Sequence, residues 1–320
     1  MKAAVIYEKG GRPRYIDIPE PTPLNRDEVL VTVRAAAIKH LDRSRAAGQH
    51  YSSSAPKTVK GKVIGGDGVC ILKGRRVYGM SSEGMLSERT FIDKDRIVPI
   101  PEKLDDVTAA ALPNAVIGSA MGLKFKADIR RGDIVLVNGA TGFTGRVAVQ
   151  IAKYYGAKKV IATGRNPRGL QELLSLGADE TISVLQDDEA FTAQVKKVKP
   201  DIIIDYLWGH TAEMILGSLK GDGSFTNKVR YVSIGSMTGD VIQLSAANLR
   251  SVDLQLTGSG LGAWSRKQVA AFFKDIMPDM YRLAAKNKLT IQTVNAKLEN
   301  IENLWDLDIP DGQRLVVTIP

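Results

Sequence analysis

The chain has 320 residues, 44% hydrophobic and 25% charged, which excludes a disordered chain and leaves room for two domains of ordinary size. Its net charge of +9 is scattered over short groups (Arg43/Arg45, Lys57/Lys60/Lys62, Arg75/Arg76, Lys124/Lys126, Arg130/Arg131, Lys196/Lys197/Lys199), which argues against a nucleic-acid partner and for a solvated surface with some attraction for an anionic cofactor. No apolar run approaches the roughly 20 residues that cross a bilayer, Glu8 and Lys9 break the opening Met1–Ile6 too soon for a signal peptide, and the single Cys70 reads as a small buried thiol, so a cytoplasmic protein is expected.

The first third reads as β structure. In Val29–Arg34, Val29, Val31 and Val33 share one face and Leu30, Thr32 and Arg34 the other, a period of two. Short segments punctuated by Gly61, Gly65, Gly66, Gly68, Gly74, Gly79 and Gly84 then predict a small antiparallel barrel or sandwich. Asp105–Leu112 is predicted to be helical and to end at Pro113.

After Gly132 strand and helix alternate. Strands are predicted at Ile134–Val137, Val160–Thr163, Thr181–Val184, Ile202–Asp205, Tyr231–Ile234 and Leu254–Thr257, several of them unbroken apolar runs that would be buried on both faces. Helices are predicted at Val147–Tyr155, Gly169–Leu176, Ala190–Val198 and Thr211–Leu219, giving an α/β doubly wound parallel sheet. From about Ala263 one helical stretch, Arg266–Lys286, precedes a lone strand at Leu315–Ile319. That strand needs a partner, and the N-terminal β region is the natural one.

The central signal is the glycine-rich turn Gly139-Ala140-Thr141-Gly142-Phe143-Thr144-Gly145, which follows a buried strand and opens a helix. Ala140, Gly142 and Gly145 carry the G-x-G-x-x-G spacing with alanine first. Ala140 sits in the tight turn, Gly142 lets the backbone approach a pyrophosphate, and Gly145 lets helix pack on strand. The helix N-terminus supplies N–H groups and positive dipole to the phosphates. The next strand ends in Gly164-Arg165-Asn166-Pro167-Arg168, with no carboxylate to hold a ribose 2′-hydroxyl. Arg165 can instead meet a 2′-phosphate, with Arg168 and Lys158 as further cations, so NADPH is the expected cofactor.

These landmarks, with Gly74–Gly79, Ala109–Pro113, Leu176-Gly177-Ala178-Asp179 and Leu256–Gly262, make nearly the whole chain resemble the medium-chain dehydrogenase/reductase superfamily, in its zinc-free quinone oxidoreductase-like branch. The resemblance implies a β-rich GroES-like catalytic domain at 1–116, completed by 264–320, and a Rossmann dinucleotide-binding domain at 117–263. It also implies an active site in the cleft between them and commonly a homodimer. Zinc-dependent relatives carry a Cys at the position of Lys39 and a His-Glu pair at Gly66-Asp67. With one Cys and three His (His40, His50, His210) out of ligand spacing, no metal is expected.

By the same resemblance, Lys39 either stabilises negative charge developing on a substrate oxygen or is a structural or surface lysine. His40 either donates a proton or is an ordinary histidine, and Tyr51 either orients substrate or packs. Asp42 matches a position read as structural. The cofactor is expected to meet Asn114, the turn Gly139–Gly145, Gly164–Asn166, Arg168, and the strand ends at Leu207, Trp208, Gly235, Ser236, Gly258 and Ser259. Trp208 stands equally as core filler or as part of a dimer interface. Val184 replaces the tyrosine that relatives place near the adenosine phosphate. The expected activity is hydride transfer to a small electrophile, a quinone or an α,β-unsaturated carbonyl. The alternatives are a specific enoyl or alkenal reductase, or an NADPH-binding sensor or RNA-binding protein with little catalysis.

Overall fold

The computed structural model describes residues 1–23, 26–53 and 61–320; of the scattered basic groups, Lys57 and Lys60 lie outside them. The chain divides into two compact units, Met1–Pro113 with Phe273–Pro320, and Asn114–Phe272. No helix among the described residues is long and apolar enough to cross a membrane.

In the first unit, β1 (Lys2–Ile6), β2 (Arg14–Asp17) and β4 (Lys62–Val63) form a three-stranded sheet, ordered β2-β1-β4. A larger mixed sheet is organised by the long β3 (Glu28–Ile38). It runs with β5 (Asp67–Leu72), β6 (Arg75–Met80), β7 (Arg89–Asp93), β8 (Val98–Pro99) and the two strands of the tail, β15 (Gln292–Lys297) and β16 (Gln313–Thr318). Along β3 the expected alternation holds: Val31 and Val33 are buried, while Leu30, Thr32 and Arg34 are exposed. Beyond a bulge near Arg34 the strand is buried on both faces, and β16 pairs along this end, with Leu315 opposite Ile38 and Thr318 opposite Ala35. The tail strand thus pairs with the N-terminal β region. It is not alone, however: β15 lies parallel to it, Val294 opposite Leu315. The core joins Val31, Val33, Cys70, Met85, Leu86, Ile92, Leu315 and Val317. Each such side chain contributes about 1.5–3 kcal/mol by burial.

After the short helix α1 (His40–Ala46), the helix expected to stop at Pro113, α2, does not. It spans Asp106–Val116 with Pro113 inside, and continues as a wider π-type helix over Ile117–Lys126. A proline removes the N–H that would bond the carbonyl four residues back. Here that carbonyl belongs to Ala109, and the buried Tyr281 hydroxyl donates to it at 2.8 Å. The second long helical stretch, expected as one piece, is likewise interrupted by a π-type turn, Phe272–Ile276, between Arg266–Ala271 and Met277–Ala285.

The second unit is a six-stranded parallel sheet of β9 (Ile134–Asn138), β10 (Lys159–Gly164), β11 (Glu180–Ser183), β12 (Ile202–Asp205), β13 (Val229–Ser233) and β14 (Leu254–Gly258), ordered β11-β10-β9-β12-β13-β14. The chain winds outward from β9 to β11, then returns to start again at β12, so the switch point lies between β9 and β12. In open sheets of this kind ligands sit at the carboxyl ends of the strands, beside that point. Register aligns those ends: Asp205 lies opposite Asn138, Ser233 opposite Asp205, and Gly258 opposite Ser233. The α/β architecture expected from the alternating pattern is the one observed.

Candidate functional site

β9 is buried from Val135 onward and turns through Gly139–Gly142 into helix α3, Phe143–Tyr154. Each small residue of the turn has a measurable reason. Gly139 has φ +81°, and a Cβ there would stand 2.9 Å from the Leu207 side chain. Ala140 is fully buried, and its N–H reaches the Thr163 carbonyl at 2.8 Å. A Cβ on Gly145 would lie 2.5 Å from the Gly139 oxygen and 2.6 Å from the Ala140 Cα, so only glycine lets the helix sit against the strand. Gly142 differs: a Cβ there would meet only the Gly139 oxygen, at 3.6 Å. Its backbone faces open space at the start of α3, and no side chain caps the helix. The first N–H groups are thereby left to an outside anion.

Sequence reasoning missed Arg146. It is buried, its Nε donates to the Thr141 carbonyl at 3.1 Å, and its guanidinium pairs with Glu172 at 2.8 Å. It therefore clamps the turn to the next helix, Pro167–Ser175. The available signal was an arginine between Gly145 and Val147 on a face that must be buried. The hydrogen bond from Arg146, with a second from Arg168, holds the Glu172 carboxyl below its ordinary value.

A second missed feature ties the turn to the neighbouring strand ends. Asp205 is fully buried and accepts from Asn138 Nδ2 at 2.7 Å, the Tyr231 hydroxyl at 2.7 Å, and the backbone N–H groups of Leu207 at 2.9 Å and Trp208 at 3.1 Å. Asn138 Oδ1 accepts from the Thr163 hydroxyl at 2.7 Å, whose oxygen accepts the Gly139 N–H at 3.3 Å. Burial pushes the Asp205 carboxyl up, and these donors oppose it without cancelling it. Trp208 sits at φ 58°, ψ −153°, a region that side-chain-bearing residues rarely occupy. Asp205 holds its N–H in that strained turn, and its ring lies edge-on to Tyr231 at 6.2 Å. Trp208 is half-buried and packs on the core of its own unit, as core filler would.

At the tip of β10, Gly164 is buried against Thr141, while Arg165 is exposed and forms no ion pair among the described residues. Asn166 caps the following helix by accepting the Gly169 N–H at 3.1 Å. Arg168 is exposed and bonded to Glu172 at 3.1 Å. Lys158 does not join this group: it precedes the first residue of β10, and six strand residues at about 3.3 Å each put it ~20 Å from the tip. Val184 follows β11, its N–H on the Gly164 carbonyl at 3.0 Å. Gly235 is required as glycine because a Cβ would stand 2.7 Å from the Tyr206 oxygen. Ser236 is exposed beside it and Gly258 faces open space. Ser259 is buried, and its Oγ has no hydrogen-bond partner among the described residues. Asn114 is half-buried one helical turn before Gly118, whose carbonyl accepts from the Tyr206 hydroxyl at 2.9 Å. An orphaned buried hydroxyl, a glycine cradle that a Cβ would fill and an uncapped helix start fit a dinucleotide along this edge.

In the first unit the three candidate catalytic residues are not gathered on one surface. Lys39 is 3% exposed and points inward. Its ammonium donates to Asp67 and to the Ala37 carbonyl at 3.3 Å, and lies 3.3 Å from Asp42 Oδ2. Burial alone would lower this lysine's pKa, but Asp42 and Asp67 outweigh it and move it up. Asp67 also accepts from the buried Tyr78 hydroxyl at 3.1 Å. Arg314, buried and pushed down to about 10 by that burial, completes a set of two cations and two anions. The Lys39 ammonium is therefore enclosed and engaged by Asp67, the Ala37 carbonyl and the neighbouring Asp42, which does not suit the expected direct contact with a substrate oxygen. His40 and Tyr51 are exposed, and Tyr51 tilts against His50 with centroids 4.2 Å apart. Cys70 is buried beside Met85, and burial pushes its thiol up to about 12, so it is inert at neutral pH. Among the described residues no three His, Cys, Asp or Glu side chains gather closely enough to hold a metal.

Comparison with known proteins bears on both units. The family model described as zinc-binding dehydrogenase matches residues 144–276. The "Probable NADPH-dependent quinone reductase tdiC" of Emericella nidulans is 27% identical over 95% of this chain and 96% of its own length. The quinone oxidoreductase of Thermus thermophilus, solved also in its complex with NADPH, superposes with a TM-score of 0.78 at 25% identity, covering 99% of this chain and 100% of that one. Over nearly its whole length the chain is similar to the quinone oxidoreductase-like branch of the medium-chain dehydrogenase/reductase superfamily. The chloroplastic NADPH-dependent alkenal/one oxidoreductase of Arabidopsis thaliana is 31% identical over 59% of this chain and 53% of its own length. The residues matched by the zinc-binding dehydrogenase model exclude Lys39, Gly66 and Asp67.

Proposed function

We propose that the chain is an NADPH-dependent reductase transferring hydride to a quinone, or to a carbon–carbon double bond conjugated to a carbonyl, without zinc. The observation that carries this reading is the tip of β10. There exposed Arg165 stands one strand from the pyrophosphate turn, and no carboxylate occupies the place that would select a ribose 2′-hydroxyl. The similarity to an NADPH-dependent quinone reductase and to an NADPH-dependent alkenal/one oxidoreductase supports the cofactor and both acceptor classes.

When bound, the reduced nicotinamide supplies the hydride. The chain binds and orients. The start of α3 and the bare backbone of Gly142 would receive the pyrophosphate, Arg165 and Arg168 the 2′-phosphate, and Ser259 a polar group of the cofactor. His40 and Tyr51, both exposed, are the side chains we assign to the acceptor, with Lys39 acting from inside through Asp42 and Asp67. The donor set does not fit zinc: Lys39 is an ammonium, Gly66 has no side chain, and the Asp67 carboxylate is committed to Lys39 and Tyr78. In this reading 117–263 serves as the dinucleotide domain, and 1–116 with 264–320 as the catalytic one.

A homodimer and a cytoplasmic setting belong to the same proposal. β14 ends the parallel sheet, and Leu256 on it is 37% exposed, with Met237 at 56%, Val241 at 80% and Leu249 at 50% elsewhere in the unit. An open edge with apolar side chains invites pairing with a second copy. Light scattering at twice the monomer mass, reverting to the monomer in Leu256→Lys, is the expected result.

The test of function is loss of reduced-nicotinamide absorbance with NADPH and with NADH, across simple quinones and 2-alkenals. Turnover with NADPH is expected, and Arg165→Glu is expected to raise the KM for NADPH by about 10- to 100-fold while moving that for NADH less than about threefold. Equal losses would remove Arg165 from the 2′-phosphate. Tight NADPH binding without any turnover would shift the reading to a sensor.

A further inference from the structure

The first unit contains a pocket of about 360 Å³ whose lining includes none of the residues assigned to the dinucleotide. Ile6, Ala46, Val63 and Ile64 give it apolar walls, and Ser53, Ser81 and Ser82 give it hydroxyls. Its lining also carries five charged residues, Glu8, Lys9, Asp42, Arg45 and Lys62. Asp42 is spent on Lys39, and the buried set of Lys39, Arg314, Asp42 and Asp67 is neutral by itself. Among the described residues, what remains facing the pocket is Lys9, Arg45 and Lys62 against Glu8, an excess of positive charge.

Arg45 is the centre of this excess. Its side chain is half-buried, and Nε is fixed by the Ser52 hydroxyl at 3.1 Å. It forms no ion pair among the described residues. Across the pocket, a Cβ built on Gly66 would still lie 3.8 Å from its guanidinium, so the missing side chain at Gly66 leaves room beside it. The field of Arg45 is felt locally: burial first, and Arg45 second, push the His50 imidazole below its ordinary value. A half-buried guanidinium, oriented through one nitrogen and lacking a counter-anion, is built to take a planar carboxylate through its other N–H groups. The pocket adjoins Asp42 and Gly66, chain neighbours of the Lys39–Asp67 pair, and includes Ser53, two residues from Tyr51.

We infer that this pocket recognises a carboxylate on the acceptor, so that the preferred substrate is an anionic enone or quinone rather than a neutral one. The inference rests on the reductase reading only for the word acceptor; the pocket's preference for a carboxylate is measurable without turnover. Calorimetry on the full chain with NADPH present would compare 4-oxopentanoate with its neutral counterpart, 2-pentanone. Turnover would be followed in parallel with 4-oxo-2-pentenoate and 3-penten-2-one.

The carboxylate is expected to bind at least about tenfold more tightly than the ketone, the preference collapsing toward unity in Arg45→Gln and returning in part in Arg45→Lys. A matching ratio is expected in kcat/KM for the two enones. Equal binding of carboxylate and ketone, or a preference untouched in a folded Arg45→Gln, overturns the assignment. A carboxylate preference that depends on Arg45 but comes with no NADPH oxidation keeps the pocket and removes the reductase. Rapid NADPH oxidation with no carboxylate preference keeps the reductase and removes the pocket.

Discussion

Lys39→Ala is expected to lower the unfolding free energy by about 3–5 kcal/mol, the cost of breaking a buried pair and leaving its partner charged. Lys39 is 3% exposed and the Asp67 side chain 8%, so the stranded carboxylate cannot recover by reaching water. Asp42 stands beside the same ammonium, so removing the lysine also sets two carboxylates against each other beside Arg314. Urea denaturation of wild type and variant measures the loss. Lys39→Met combined with Asp67→Asn is expected to recover most of it, because both charges of the pair are removed together, Asp42 keeps Arg314 nearby, and an acceptor remains for Tyr78. The pH dependence has a definite sign. The folded-state pKa of Lys39 is raised above 10.5, so its contribution is fully present below that value and is lost only as pH rises through the folded pKa. The gap between wild type and Lys39→Ala should therefore stay flat from roughly pH 6 to 9 and narrow only in strong alkali. An unchanged midpoint in urea would mean that the ammonium is solvated rather than held.

Lys39 also marks where sequence reasoning ended. A lysine next to a histidine looks like a surface cation or a catalytic one, and nothing in Ile38-Lys39-His40 says that it points inward. That depends on Asp67 arriving from another strand, 28 positions away. The same holds for Asp205, whose four donors come from Asn138, Tyr231 and its own following turn, and for Arg146 clamped to Glu172. Periodicity exposes the stripe a helix buries, but not the polar partner that makes a buried charge tolerable. What was legible was whatever repeats locally: the parallel strands as unbroken apolar runs, the alternation along β3, and the glycine turn with its flanking strand and helix. β15 was not, because Gln292–Lys297 is half-exposed and its core-facing side offers only Val294 and Ala296, too short an apolar signal among polar residues. The helix through Pro113 was misjudged for a related reason. Local rules end a helix there, and the hydroxyl that satisfies the abandoned carbonyl comes from Tyr281, 172 positions on.

The glycine turn allows stability and binding to be separated at two positions three residues apart. In Gly145→Ala the new methyl would lie 2.5 Å from a carbonyl oxygen and 2.6 Å from a Cα, both backbone atoms with no rotamer to yield. Helix α3 must move off β9, and a loss of about 1–3 kcal/mol or more is expected, together with loss of measurable NADPH binding. In Gly142→Ala the methyl meets nothing nearer than 3.6 Å, and φ −70° suits any residue. The fold should lose no more than about 1 kcal/mol, the usual difference at an N-cap. Yet that methyl stands where the backbone must approach the pyrophosphate, so the Kd for NADPH should rise at least about tenfold with the melting temperature nearly unmoved. Thermal melts of both variants, with and without NADPH, decide the matter. If Gly142→Ala is stabilised by the cofactor as strongly as wild type, the pyrophosphate lies elsewhere and the open space over Gly142 has another use.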